Sequence, residues 1–172
     1  YQSADSVECV SCVRGEYQEA DDASSCKACP AGKYQHNPKG TFCIACDVGY
    51  AGSDDASLDT YCKECGAGKF QGVTGAASCT DCPAGRAQPD IGQRSCDSCD
   101  AGEYMPDTGA TACLVCSTEE GQGYGSSEGA SECDQAAPAY FMNAKGEPEL
   151  CPAGVKCGKL GVTTETMVLE AG

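Results

Sequence analysis

The 172-residue sequence has no tryptophan, a single histidine, two asparagines, and no apolar run approaching the ~20 residues that cross a bilayer. Core-forming side chains are scarce: Val, Ile, Leu and Phe number 19 in all, against a net charge of −15. By that measure alone the chain reads as disordered, because so little apolar surface cannot offset the entropy of folding. The shortage also leaves catalysis little to work with. The one histidine, His36, sits in a turn-rich stretch beside Asn37-Pro38 and reads as a surface residue rather than a general base. Paired carboxylates need a rigid cleft to shift their pKa values, and no cleft is implied, so the chain is not expected to be an enzyme or to carry a cofactor. Basic residues are too few for a nucleic-acid or anionic-membrane partner, both of which repel a protein of this charge. The acidic pairs Asp21-Asp22, Asp54-Asp55 and Glu119-Glu120 lack the spacing of an EF-hand loop and read as solvated charge. Neither Asn37 nor Asn143 heads an N-linked sequon, whereas the many Ser and Thr residues leave O-linked glycans open. No initiator Met or signal-peptide apolar region is seen, so any such leader is expected to be removed or to lie outside these residues.

What is present reverses the expectation of disorder. Seventeen cysteines recur mostly as Cys-x-x-Cys pairs, at Cys9/Cys12, Cys26/Cys29, Cys43/Cys46, Cys62/Cys65, Cys79/Cys82, Cys96/Cys99 and Cys113/Cys116. Successive first cysteines are 17, 17, 19, 17, 17 and 17 residues apart, and Cys133 opens a further unit after 20. Covalent cross-links shrink the entropy of the unfolded chain and substitute for a large core. Cross-linking at this density persists only in oxidising compartments, which predicts an extracellular or cell-surface protein.

Aligned on the second cysteine of each pair, the units are variants of Cys-Pro-Ala-Gly-Lys-Tyr-Gln. Gly follows three residues after the cysteine at Gly15, Gly32, Gly49, Gly68, Gly85 and Gly102, where freedom to adopt positive φ turns the chain into a short strand. An aromatic comes next at Tyr17, Tyr34, Phe70 and Tyr104, shifted to Tyr50 in one unit and replaced by Ala87 in another. These aromatics are expected to pack over a disulfide or the preceding unit. Pro30 and Pro83 stiffen the exit from the cysteine. Turn residues such as Asn37-Pro38-Lys39-Gly40, Gly75 and Thr108-Gly109 separate short strand-like pieces, which read as β-hairpins. The predicted fold is therefore small, disulfide-rich and mostly irregular or β, an elongated rod of about seven tandem 17-residue hairpin-like repeats with almost no helix. Units of this kind are expected to contact only their neighbours.

Spacing does not prove connectivity, but geometry ranks the options. A bond within Cys-x-x-Cys closes a cramped loop of the reactive kind. Joining each second cysteine to the next first cysteine gives Cys12–Cys26, Cys29–Cys43, Cys46–Cys62, Cys65–Cys79, Cys82–Cys96, Cys99–Cys113 and Cys116–Cys133, with Cys151–Cys157 close enough to bond each other. Each 14-residue loop is worth about 3 kcal/mol in the chain-entropy model. Cys9 is left over, so its partner lies upstream or in another molecule. Two other uses of cysteine compete with this one. Four-cysteine zinc sites have nearly this spacing, but an unbroken series fits staples better than isolated quartets. Thioredoxin-like chemistry needs one Cys-x-x-Cys in a βαβ setting, which is missing.

After Cys133 the rhythm stops, dividing the chain into tandem repeats over residues 1–133 and an atypical module over residues 134–172. The module holds Tyr140-Phe141-Met142 and a strand-like stretch over residues 162–169, expected to pair within its own module; the alternative is contact with a following domain or subunit.

The units Cys29-Pro30-Ala31-Gly32-Lys33-Tyr34-Gln35 and Cys82-Pro83-Ala84-Gly85 resemble the ephrin-receptor-type cysteine-rich repeat. The 14-residue closure also resembles the first-loop module of tumour necrosis factor receptors, although the second, interlocked half of that module is not evident. The run that begins at Cys157-Gly158-Lys159 is similar to a segment that follows such repeats in large surface proteins of algae and water moulds. The repeat resemblance covers roughly residues 9–133, and the resemblance of the tail implies a segment of something longer. Two functions follow as expectations. One is a non-enzymatic structural subunit of a filament, flagellar hair-like appendage or coat, with self-association as its partner interaction. The alternative is a receptor or adhesion ectodomain for a protein or glycan, with the insertion at residues 54–59 as its candidate irregular feature.

Overall fold

In the computed structural model, residues 11–20, 25–52, 61–119 and 121–169 are described. Cys9 and the acidic residues Asp21, Asp22, Asp54, Asp55 and Glu120 lie outside them.

Regular structure consists of two- and three-residue strands joined as hairpins. The repeats pair β1 (Glu16–Tyr17) with β2 (Lys27–Ala28), β3 (Lys33–Tyr34) with β4 (Ile44–Ala45), and β5 (Tyr50–Ala51) with β6 (Lys63–Glu64). They continue with β7 (Lys69–Phe70) and β8 (Thr80–Asp81), β9 (Arg86–Ala87) and β10 (Asp97–Ser98), β11 (Glu103–Tyr104) and β12 (Leu114–Val115), and β13 (Tyr124–Gly125) and β14 (Gln135–Ala136). One register recurs, antiparallel, with Lys33 facing Ala45, Tyr50 facing Glu64, Arg86 facing Ser98 and Glu103 facing Val115. The one helix among the described residues is α1 (Cys116–Glu119), four residues long, inserted in the last repeat. The fold is a tandem series of small disulfide-closed hairpins with almost no helix.

Each hairpin opens at a glycine and closes at a cysteine. The +3 glycines hold φ between 77 and 89° at Gly15, Gly32, Gly49, Gly68, Gly85 and Gly102, a region that L-residues avoid. The carbonyl of each then accepts from the amide of the next second cysteine, as in Cys82 N–H to Gly68 at 2.9 Å and Cys99 N–H to Gly85 at 2.9 Å. In the last repeat Ala137 donates to Gly123 at 2.7 Å, so an alanine one residue late takes the place of the missing cysteine.

The disulfides join Cys12 to Cys26, Cys29 to Cys43, Cys46 to Cys62, Cys65 to Cys79, Cys82 to Cys96, Cys99 to Cys113, Cys116 to Cys133 and Cys151 to Cys157. In the seven repeats the joined Cα atoms stand 5.5–5.7 Å apart. The second cysteine of each described pair is buried, at most 3% exposed. Cys46, Cys65 and Cys82 are wholly inaccessible, so the core is a series of sulfurs where larger domains place leucine.

By its contacts the chain forms two units, one of Tyr1–Gly66, Phe70–Thr80 and Ile91–Ser95, the other of Ala67–Lys69, Asp81–Asp90 and Cys96–Gly172. The second unit ends in the atypical module, where β15 (Tyr140–Met142) pairs with β16 (Pro148–Leu150), and β17 (Val155–Lys156) with β18 (Val168–Leu169). Its small apolar cluster is Phe141, Cys157 and Val162, flanked by Cys151, Val155 and Met167. The stretch read as one strand over residues 162–169 is strand only at Val168–Leu169. Ahead of it, Thr166 folds back, its N–H donating to the Thr163 carbonyl at 3.1 Å and its hydroxyl accepting from the Thr163 N–H at 2.8 Å. Local Thr side-chain bonding competes with the ladder and shortens the strand.

Candidate functional site

The recurrent working surface is the seam between one repeat and the next, made from backbone. In the repeat that starts at Cys82, Gly85 donates to the Met105 carbonyl at 2.8 Å, Gln88 donates to Ala110 at 3.0 Å, and Gly109 reaches back to Cys82 at 2.7 Å. The same triad runs from Cys46 through Gly49 to Gln71, Gly52 to Ala76 and Gly75 to Cys46. It runs again from Cys99 through Gly102 to Ser126, Met105 to Ala130 and Gly129 to Cys99. At the first repeat the returning turn is made by Lys39, a non-glycine at φ 62°, whose amide donates to Cys12 at 2.9 Å. Three bonds per seam satisfy main-chain groups that strands of two residues leave unpaired.

The +3 glycine reaches further than this. A Cβ on Gly32 would overlap the Gly75 carbonyl, one on Gly49 the Gly92 carbonyl, one on Gly68 the Gly109 carbonyl, and one on Gly85 the Gly129 carbonyl. Each of these partners belongs to the next-but-one repeat. The expectation that repeats touch only their neighbours is therefore corrected: removing the β-carbon lets two backbones meet across two repeats. The glycine serves both the turn and this approach.

A second recurrent residue carries weight that its place in the motif did not reveal. The glutamine six residues after the cysteine is buried at Gln35, Gln71 and Gln88. Gln71 donates Nε2 to the Ser78 carbonyl at 2.8 Å and accepts at Oε1 from the Val73 amide at 3.1 Å. Gln35 does the same with Phe42 and Asn37, at 2.7 and 2.9 Å. One amide thus ties both arms of the loop, supplying the partners that a buried polar group requires. In the Cys99 and Cys116 repeats this place goes to Met105 and Ser126, both buried, and Ser126 Oγ donates to the Glu103 carbonyl at 2.6 Å. Recurrence of glutamine at one offset was the sequence signal.

The aromatics divide by strand alternation. Tyr17, Tyr34, Phe70 and Tyr104 occupy the second strand position, and Tyr104 is buried while the others are half-buried. Ala51 and Ala87 fill the equivalent place and are buried. Tyr50, one residue earlier, lies on the other side of its strand, and its hydroxyl donates to the Glu64 carboxylate at 2.8 Å. That bond, with the negative charge of Glu64, raises the Tyr50 pKa above its ordinary 10.0. Lys69 and Asp81 make the matching ion pair in a later hairpin.

Tyr34 also joins a ring cluster with His36 and Tyr61. His36 stacks on Tyr61 at 5.9 Å and 16°, and Tyr34 lies 5.8 Å from His36 and 6.2 Å from Tyr61. Tyr61 is 60% exposed and directly follows the residue 53–60 segment, which lies outside the described residues.

Among the described residues no group of three or more His, Cys, Asp or Glu is placed to hold a metal ion, and no helix is long and apolar enough to cross a membrane. A family model described as tyrosine-protein kinase ephrin type A/B receptor-like matches residues 1–41 and 52–95. The chain carries cysteine-rich repeats of the ephrin-receptor-like type. The match spans just under half of the chain, and the Cys99 hairpin that follows it keeps the same seam and disulfide register. No curated protein matches the chain. The repeat family is a receptor-like disulfide-rich module and not a catalytic one, and with eight disulfides among the described residues it points to an extracellular or secreted protein.

Proposed function

We propose that the chain is a non-enzymatic structural element of an extracellular assembly, a stapled repeat serving as a filament, surface-appendage or coat subunit. The observation that carries this reading is the seam. Its three backbone bonds use no particular side chain, so they recur in the Cys12, Cys46, Cys65, Cys82 and Cys99 repeats while the sequence between the staples drifts. A surface specialised to repeat itself is suited to building length. Cys9, which the spacing leaves without a partner in this chain, is the residue through which chains would be linked covalently. Electron microscopy of native material tests the reading: a regular axial repeat supports it, and isolated globular particles sink it. Non-reducing gels of the wild type and Cys9→Ser decide whether Cys9 joins chains.

One observation favours the second reading, a receptor or adhesion ectodomain. Tyr34, His36 and Tyr61 gather three aromatic rings, and Tyr61 closely follows the insertion at residues 54–59 in sequence. Such platforms stack against sugar rings or peptide side chains. Binding to a glycan or protein library that is lost in Tyr61→Ala would shift the assignment.

A further inference from the structure

Four +3 glycines are each covered by the carbonyl of a turn glycine 41–44 residues further on, at Gly32/Gly75, Gly49/Gly92, Gly68/Gly109 and Gly85/Gly129. Gly102 is the fifth, at φ 89°, and a Cβ there would meet nothing within 4 Å. The residue in register to cover it is Gly146, and it too has nothing within 4 Å. The reason is local. Asn143 captures the loop, its Oδ1 accepting from the Lys145 and Glu147 amides at 2.8 and 3.0 Å and its carbonyl from Gly146 at 3.0 Å. The loop closes into the tight β15–β16 hairpin, and Tyr140 and Pro148 of that hairpin crowd Gly123. Gly102 is left beside an open cavity of about 440 Å³, with apolar walls from Ala101, Val115, Pro138 and Leu160 and one carboxylate, Glu103.

We propose that this cavity is a socket for the turn at residues 37–40 of a second copy of the chain. The four filled equivalents define the chemistry of the occupant: a tight turn at positive φ, backbone first, whose amide bonds a cysteine carbonyl. The turn at Lys39 has that φ and that bond, to Cys12, and Lys39 is exposed. It also carries a cation at the positive-φ position itself, where the four filled equivalents carry glycine. Its proposed seat lies in the most one-sided part of the sequence, where residues 95–144 hold nine Asp and Glu and no Lys or Arg. Charge of opposite sign steers the encounter and fixes which turn enters. Turn and socket are different surfaces, so the contact is heterologous and propagates from copy to copy. The proposal rests on the assembly reading above and names its partner and its contact.

Sedimentation velocity of the full chain at low and high salt, with Lys39→Glu, Glu103→Lys and their equimolar mixture, tests it. The wild type should associate with rising concentration and weaken with salt. Each single reversal should lower the association constant on the order of tenfold or more. The mixture, in which the reversed turn of one variant meets the reversed socket of the other, should recover association. A wild type that stays monomeric, single variants that associate like the wild type, or a mixture that fails to recover would each overturn the socket. Native filaments together with unaffected variants would remove the socket and leave the assembly reading standing. Loss and rescue without native filaments would do the reverse.

Discussion

Gly68→Ala compared with Gly102→Ala isolates the contact between next-but-one repeats. Both glycines open a hairpin at positive φ, 77° and 89°, and both carbonyls accept from the next second cysteine. An alanine at either incurs the left-handed penalty of about 1–2 kcal/mol, offset by the roughly 0.4–1 kcal/mol that alanine gains through the unfolded chain. At Gly102 nothing more is met. At Gly68 the methyl also overlaps the Gly109 carbonyl, a backbone atom that cannot rotate away. Overpacking of that kind adds about 1–3 kcal/mol. The expected separation between the two variants is therefore about 1–3 kcal/mol, or roughly 2–12 °C in Tm for a chain of this size. Thermal and denaturant unfolding of dilute, fully oxidised protein measures it, and dilution keeps association at the Gly102 socket from contributing. Native-state hydrogen exchange adds a local reading: the Gly109 amide, bonded to Cys82 at 2.7 Å, should lose protection in Gly68→Ala alone. Equal destabilisation by both variants, with the Gly109 amide unmoved, would refute the contact.

Other expectations follow from single residues. Gln71→Leu strands the Val73 amide and the Ser78 carbonyl, so it should cost about 1–3 kcal/mol and open that loop to proteolysis; unchanged cleavage would argue that the glutamine is incidental. Ala139 stands at φ 75° in the place of a +3 glycine, its carbonyl accepting from Cys151 at 3.0 Å. Ala139→Gly should therefore raise stability by up to about 1 kcal/mol, the backbone relief outweighing glycine's larger unfolded entropy, in urea unfolding. The raised Tyr50 pKa means the fold favours the protonated phenol. Its contribution is present below the ordinary value of 10.0 and is lost as pH rises through the folded value. Glu64→Gln should bring Tyr50 back down, seen as an earlier phenolate transition in NMR titration; no movement would place the cause elsewhere.

Much of the design was legible in the cysteines. Their spacing left one economical way to close loops of 14 residues, and the glycine three residues on marked where each hairpin begins. The aromatic positions were legible only where the offset was kept. Tyr50, displaced by one residue in a strand of period two, turns to the opposite side and meets Glu64 instead of the core. Gln71 and its counterparts were visible as letters in a motif, but their role depends on two backbone groups up to seven residues away being brought together.

By itself the sequence determined the class of fold, because staples and turns are local: a disulfide loop and a positive-φ glycine need only their own few residues. Tertiary structure alone decided what meets what at longer range. That Gly68 lies under Gly109 and Gly85 under Gly129 depends on contacts about forty residues apart, whereas Gly102 is left uncovered because Asn143 holds its own loop back. No period in the sequence encodes those contacts, because the groups that make them are backbone carbonyls and amides, which every residue carries.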